Sequence, residues 1–170
     1  MKKTIRMILS LLMITCSVFV FKGSAYAKTS NPPDIYDLIM LQKINAFRAE
    51  NGLDALELND DLLDVADVRL YELPVNFDHT RPNGDSYKTV YTDLGLDTKY
   101  ERGSENIAKI LDDWDFSNDS GEEYVEYIFE AYVNSESHRE NMLKPYWEYY
   151  GGAFLTNYNG NCYQIQVFAK

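Results

Sequence analysis

The stretch Ser135-Glu136-Ser137-His138-Arg139-Glu140-Asn141-Met142-Leu143 stands where the chain changes from helical to extended patterning. Before it, Val125, Ile128, Phe129 and Tyr132 recur at i, i+3, i+4 and i+7, which predicts a helix over Glu122 to Asn134. After it, Tyr150 to Asn157 reads as a strand. In a second strand Tyr163, Ile165 and Val167 alternate with Gln164 and Gln166, and residues 157–161 join the two as a hairpin loop. Further back, Pro32-Pro33 before Asp34 suits a helix start, and Tyr36, Met40, Ile44 and Phe47 fall on one helical face. Asn51-Gly52 ends that helix. Asn59 or Asp60 caps the next, which carries Leu63, Ala66, Leu70 and Leu73 and stops at Pro74. Val75 to Asp85 reads as a loop with a turn at Arg81-Pro82-Asn83-Gly84, and a shorter helix covers Ser86 to Leu94. Ser104 to Ile110 is ambiguous between a strand and a helical turn, and Leu111 to Gly121 is an acidic surface loop. Helices first and an antiparallel hairpin last make the fold class α+β, with no internal repeat.

The start of the chain has a different character. Lys2, Lys3 and Arg6 precede the apolar run Met7 to Phe21, and Ala25-Tyr26-Ala27 supplies a small-x-small cleavage pattern. This is the pattern of a secretory signal peptide cleaved after Ala27. The apolar run is shorter than the ~20 residues of a spanning helix, so the mature form has no membrane span. Met13-Ile14-Thr15 before Cys16 lacks the small residue that lipoprotein processing favours. The expected organisation is therefore a signal peptide over 1–27, a short linker over 28–34 and a single domain over 35–170. Cys16 leaves with the leader, and Cys162, alone in an apolar strand, reads as a small buried hydrophobe.

Composition narrows the partners. With 45% hydrophobic residues, 14 Tyr, 8 Phe and 2 Trp, the chain has the means to build a core. The excess of 27 Asp+Glu over 16 Lys+Arg gives a net charge of −11. That excess argues against nucleic acid and against charge-driven adhesion to anionic lipid, both of which need clustered cations. Removal of a leader with four basic residues and no acid makes the rest more acidic still. The Tyr excess, including Tyr146, Tyr149, Tyr150, Tyr158 and Tyr163, suits either a binding face or a half-buried sheet surface.

Several catalytic signatures are missing: no Gly-x-Ser-x-Gly elbow, phosphate loop or dinucleotide glycine pattern occurs. His138-Arg139-Glu140-Asn141-Met142 lacks the second His of a zinc-protease helix. Asp115, Ser117, Asp119 and Glu126 hold calcium-loop positions only in part, since Ser120 stands where Gly is needed, so the loop reads as solvated. The two histidines are more informative. His79 lies in Asp78-His79-Thr80-Arg81-Pro82, His138 follows the strong helix, and Ser104-Glu105-Asn106-Ile107-Ala108 lies between them. Two imidazoles and a carboxylate suit a divalent metal or an acid/base set, but spacing alone equally allows unrelated surface histidines.

These segments together resemble the CAP superfamily, named for cysteine-rich secretory proteins, antigen 5 and pathogenesis-related 1 proteins, and most of all its short bacterial SCP-like secreted members. Asn45, Arg48, Gly52 and Leu53 are similar to the Asn-x-x-Arg-x-x-x-Gly-Leu signature, followed by Leu56, Leu62, Ala66 and Arg69 at the family's spacing. Phe77 to Gly84 resembles the first histidine loop, Ser104 to Ala108 resembles Gly-Glu-Asn-Ile-Ala, and Ser135 to Leu143 resembles Ser-Pro-Gly-His-Arg-x-Asn-Ile-Leu. The resemblance runs from about residue 35 to 169.

It implies an α-β-α sandwich with a small, mainly antiparallel sheet. It also implies a cleft where His79, Glu105 and His138 converge, able in some members to hold zinc or another divalent ion. A second Glu of that set is replaced here by Ser135, which leaves three ligands at most. Arg81 and Arg139 read as anion clamps or as loop-ordering partners of local acids, with the second preferred. Asn106 and Asn141 read as loop-bracing amides.

Three functions follow. The first is a secreted, monomeric binding module for an extracellular lipid, glycan or peptide. The second is a metal-assisted hydrolase with Glu105 as base, or a variant with Ser135 as nucleophile and His138 as its base. The third is a non-catalytic interaction scaffold.

Overall fold

Asp34 and Asn59 decide where the two long N-terminal helices begin. In the computed structural model, which describes residues 34–111 and 122–170, the Asp34 side chain accepts from the Tyr36 amide and opens α1 (Ile35–Glu50). Asn59 accepts from the amides of Asp61 and Leu62 and opens α2 (Asp60–Glu72). Such caps satisfy amides that have no partner inside a helix. Between these helices lies β1 (Glu57–Leu58), too short to be visible as a pattern. Then follow α3 (Thr89–Asp93), β2 (Gly103–Leu111), α4 (Glu122–Asn134), α5 (Glu136–Met142), β3 (Tyr149–Tyr158) and β4 (Asn161–Ala169).

The strands form one four-stranded sheet in the order β1-β3-β4-β2, parallel only between β1 and β3. Helices cover both faces. Against one face, Leu62, Val65, Ala66 and Leu70 of α2 and Val90 of α3 pack with Ile107, Ile165 and Val167. Against the other, Met40 and Ile44 of α1 and Val125, Ile128 and Tyr132 of α4 pack with Tyr150, Cys162 and Phe168. This is an α+β, α-β-α sandwich. Cys162 is buried, as its apolar context predicts.

The alternation along β4 does not separate inside from outside. Its odd residues face α2 and its even ones face α1 and α4, so Gln164 and Gln166 are as buried as Ile165. Most of their polar atoms find partners within the interior, while among the described residues Gln164 Oε1 has none. Gln164 Nε2 donates to the Ile165 carbonyl at 2.6 Å, and Gln166 Oε1 accepts from Asn106 Nδ2 at 3.0 Å. A strand covered on both faces buries whatever it carries. Gly151 is fixed by the same layering, because a Cβ there would overlap the backbone at Leu62 of α2.

The ambiguous segment 104–110 is a strand, held in antiparallel register with β4 over its whole length. The helix expected over Ser86 to Leu94 is shorter, beginning only at Thr89. The turn at Arg81 to Gly84 is present: the Gly84 amide donates to the Arg81 carbonyl at 2.9 Å, and Gly84 has a φ of +90°. The signal peptide and most of the linker lie outside the described residues, as do residues 112–121, which include Asp115, Ser117 and Asp119. Glu126 lies on α4 and pairs with Lys43.

Two residues of the first motif act on the fold rather than on a ligand. Asn45 exchanges two hydrogen bonds with the backbone of Leu56, at 2.8 and 3.0 Å. Arg48 is fully buried and donates to the carbonyls of Asp54, Met142 and Lys144. It thereby ties the end of α1 to the chain leaving α5.

Candidate functional site

Consecutive residues of a strand point to opposite faces, and at Glu105-Asn106 this sets the whole site. Both lie on β2, an edge strand of the sheet. Glu105 points to the α2 face and holds the His79 segment. Asn106 points to the other face and holds the His138 segment.

On the first face, Glu105 is 5% exposed and stands opposite Val167. The fully buried Arg69 of α2 grips it with two hydrogen bonds of 2.9 Å, one to each carboxylate oxygen. His79 Nδ1 lies 3.0 Å from Glu105 Oε1. That contact directs a proton to Nδ1 and leaves Nε2 for a partner outside. Arg69 also donates to the Asp78 carbonyl at 2.8 Å and to Glu72 at 2.7 Å. Glu72 in turn pairs with Arg81, and Arg81 with Asp93 and Thr89. A bonded chain of alternating charge, Glu105–Arg69–Glu72–Arg81–Asp93, therefore anchors the histidine loop from behind. Bidentate Arg–carboxylate pairs of this kind supply direction as well as energy. Arg81 serves this chain and does not face outward as an anion clamp.

On the second face, Asn106 Nδ2 donates to the His138 carbonyl at 3.1 Å and to Gln166 at 3.0 Å. Its Oδ1 accepts from Asn141 Nδ2 at 2.9 Å. The amide pair thus positions α5, and the His138 ring sits edge-on to Tyr132 with centroids 5.2 Å apart. Arg139 donates to the Val133 carbonyl at 2.7 Å, and among the described residues no acid pairs with it. It satisfies a carbonyl near the end of α4, a common role for a cation there. Ser135 is the N-cap of α5, yet its side chain makes no capping bond. Among the described residues no hydrogen bond joins its hydroxyl to His138.

The two imidazoles are tuned in opposite directions. The hydrogen bond to Glu105 raises the pKa of His79 above its usual 6.5. Burial, followed by the charge of His79, lowers that of His138 below 6.5. Between the two values His79 is a cationic donor and His138 a neutral ring. The Tyr87 ring stands 6.0 Å from His79, and burial and the charge of Glu105 keep its phenol protonated.

A three-ligand zinc set does not fit this arrangement. Both oxygens of Glu105 already accept from Arg69, and Oε1 also meets His79. Among the described residues no three His, Cys, Asp or Glu side chains are grouped to hold a metal ion. Sequence reasoning singled out His79, Glu105 and His138 but gave Arg69 no part in the site. The signal was present: Arg69 interrupts an apolar stripe between Ala66 and Leu70, with Glu72 three residues on.

Comparison with known proteins gives the family and agrees with the fold. The sequence pattern of the cysteine-rich secretory protein (CAP) family matches residues 41–168. The chain belongs to that family. This CAP chain is 28% identical over 146 residues to the uncharacterized protein YkwD of Bacillus subtilis (strain 168). The match covers 84% of the chain and 51% of YkwD, so the chain spans about half the length of that relative. Its fold is similar to that of an outer surface protein from Borrelia burgdorferi, at a TM-score of 0.63 and 21% identity over 78% of this chain and 90% of that one. It is also similar to an extracellular protein with an SCP domain from Bacillus anthracis str. Ames, at a TM-score of 0.60 and 18% identity over 83% of this chain and 45% of that one. Among the described residues no helix is long and apolar enough to cross a membrane.

Proposed function

We propose that this CAP domain is a secreted binding module that takes a hydrogen-bonding group of an extracellular ligand between His79 and His138. The observation that carries this reading is the double grip of Arg69 on Glu105. A carboxylate held in that way positions His79; it is not free to act as a general base or metal ligand, so the hydrolytic reading loses its key group. What faces outward is His79, with a side chain 54% exposed and biased toward its protonated form by Glu105, and the half-buried His138, biased toward its neutral form by burial. One donor and one acceptor, with no excess positive charge, suit a glycan hydroxyl, a peptide carbonyl or a lipid headgroup. The basic and then apolar start of the chain, and neighbours named as outer-surface and extracellular proteins, support export after cleavage near Ala27.

The test is binding of cell-wall glycan fragments, stem-type peptides and phospholipid vesicles to the protein and to His79→Ala and His138→Ala. Saturable binding of one class, lost in both variants while their far-UV spectra are unchanged, is the expected result. Equal binding by both variants would sink the proposal. Chelator-sensitive turnover of any of these probes would replace it with the hydrolase.

A further inference from the structure

A second site lies away from the histidines, where the start of α1, one side of α2 and residues 152–155 of β3 border an open cavity of about 440 Å³. The N-cap Asp34 and the first-turn Asp37 of α1 and Asp67 of α2 line it, together with the apolar side chains of Leu70 and Phe154 and the ring of Tyr71. No Lys or Arg is among its described lining residues. Asp37 is 4% exposed, and among the described residues its Oδ1 has no hydrogen-bond partner. Gly152 lets the Tyr150 hydroxyl lie beside that oxygen, since a Cβ there would overlap the hydroxyl and stand 3.2 Å from Asp37 Oδ1. A buried carboxylate oxygen without a partner is costly, and the fold retains it at the wall of a cavity.

We propose that this cavity binds a primary alkylammonium group, carried by a lysine side chain or by a free diamine. An ammonium supplies the donors that Asp37 Oδ1 lacks and a charge opposite to the three aspartates. The apolar wall matches a hydrocarbon stem, as in the usual packing of a lysine. Tyr71, 70% exposed, places an aromatic face at the mouth where a cation is favoured. A metal ion is the poorer match, because these carboxylates are not grouped to coordinate one. The volume also exceeds that of a single ion and falls within the range of small-ligand pockets. Burial, and then the charges of Asp34 and Asp67, raise the Asp37 pKa to about 7. Tyr150 faces it from β3 and stays protonated. The site is therefore fully charged only on the alkaline side of neutrality.

The test is calorimetry at about pH 8 with 1,5-diaminopentane and with Nα-acetyl-lysine amide, and with 1-pentanol as an uncharged probe of similar shape. One or both amines should bind and pentanol should not. Binding by Asp37→Asn should be weaker by about tenfold or more. This variant keeps the shape and removes a buried charge, so its fold is preserved. The half-buried Asp67→Asn, a second variant, should weaken binding to a smaller degree. His79→Ala should leave amine affinity unchanged, which separates this site from the histidine cleft. Preference for the lysine amide identifies a peptide as the source, and preference for the diamine a free amine. Failure of both amines to bind, equal affinity in Asp37→Asn, or pentanol binding as tightly as the amines would overturn the proposal.

Discussion

Two carboxylates are buried to nearly the same degree and live in opposite circumstances. Glu105, 5% exposed, has a guanidinium across both of its oxygens and an imidazole on one of them. Asp37, 4% exposed, has other aspartates nearby and one oxygen with no partner among the described residues. Burial removes the same solvation from each, so the difference lies in what replaces the water. At Glu105 the replacement is a rigid network, and the product is a positioned histidine. At Asp37 it is incomplete, and the product is a group ready for an external cation.

The contrast breaks most visibly at Arg69. Arg69→Met fills similar space but leaves the buried Glu105 with His79 in place of its two guanidinium bonds. By the usual cost of stripping one partner from a buried pair, it should destabilise the protein by about 3–5 kcal/mol, read from denaturant midpoints. An unchanged midpoint would mean that the pair is dispensable.

Asp37→Asn should act in the opposite direction. The folded-state pKa of about 7 lies above the ordinary 3.8, so between these values the folded protein holds a proton that the unfolded chain has released. Stability contributed by this group is therefore full below about pH 4 and lost as pH rises toward 7. The variant should gain on the order of 3 kcal/mol near pH 8 and nothing near pH 3, as measured by urea unfolding across pH. A gain that is flat with pH would show that Asp37 is not strained by its charge.

The smallest effect belongs to His79. Its folded-state pKa is raised by Glu105, so the stability it contributes is full below the ordinary 6.5 and disappears as pH rises through the folded value. Because the ring is more than half exposed, that contribution should be under about 1 kcal/mol. Glu105→Gln should return the His79 titration, followed by imidazole NMR, toward 6.5. A titration that does not move would detach His79 from Glu105.

Sequence periodicity was enough for α1 and α4, which each bury one stripe, and for α2, although there the run Leu62 to Ala66 is buried without a break. It identified β4 as a strand but not that both of its faces are covered, and it left β2 open. The pattern of Ser104 to Ile110 fits two local structures, and only pairing with β4 makes it a strand. Gln164 and Gln166 look solvent-facing by composition, yet helices close over both sides of β4 and bury them. Arg69 illustrates the same difficulty at the site: its meaning depends on a carboxylate 36 positions away.

Local chemistry in the chain determined the caps at Asp34 and Asn59, the amphipathic helices, the hairpin and the family motifs with both histidines. These depend on neighbours within a few residues, and such interactions are written directly in residue order. Tertiary structure decided what those motifs do. Only the sandwich brings Arg69 behind Glu105, splits Glu105 and Asn106 between two faces of an edge strand, and forms a cavity beside Asp37. The cost of a buried charge, and the group that offsets it, are set by distance in space, which residue order does not contain.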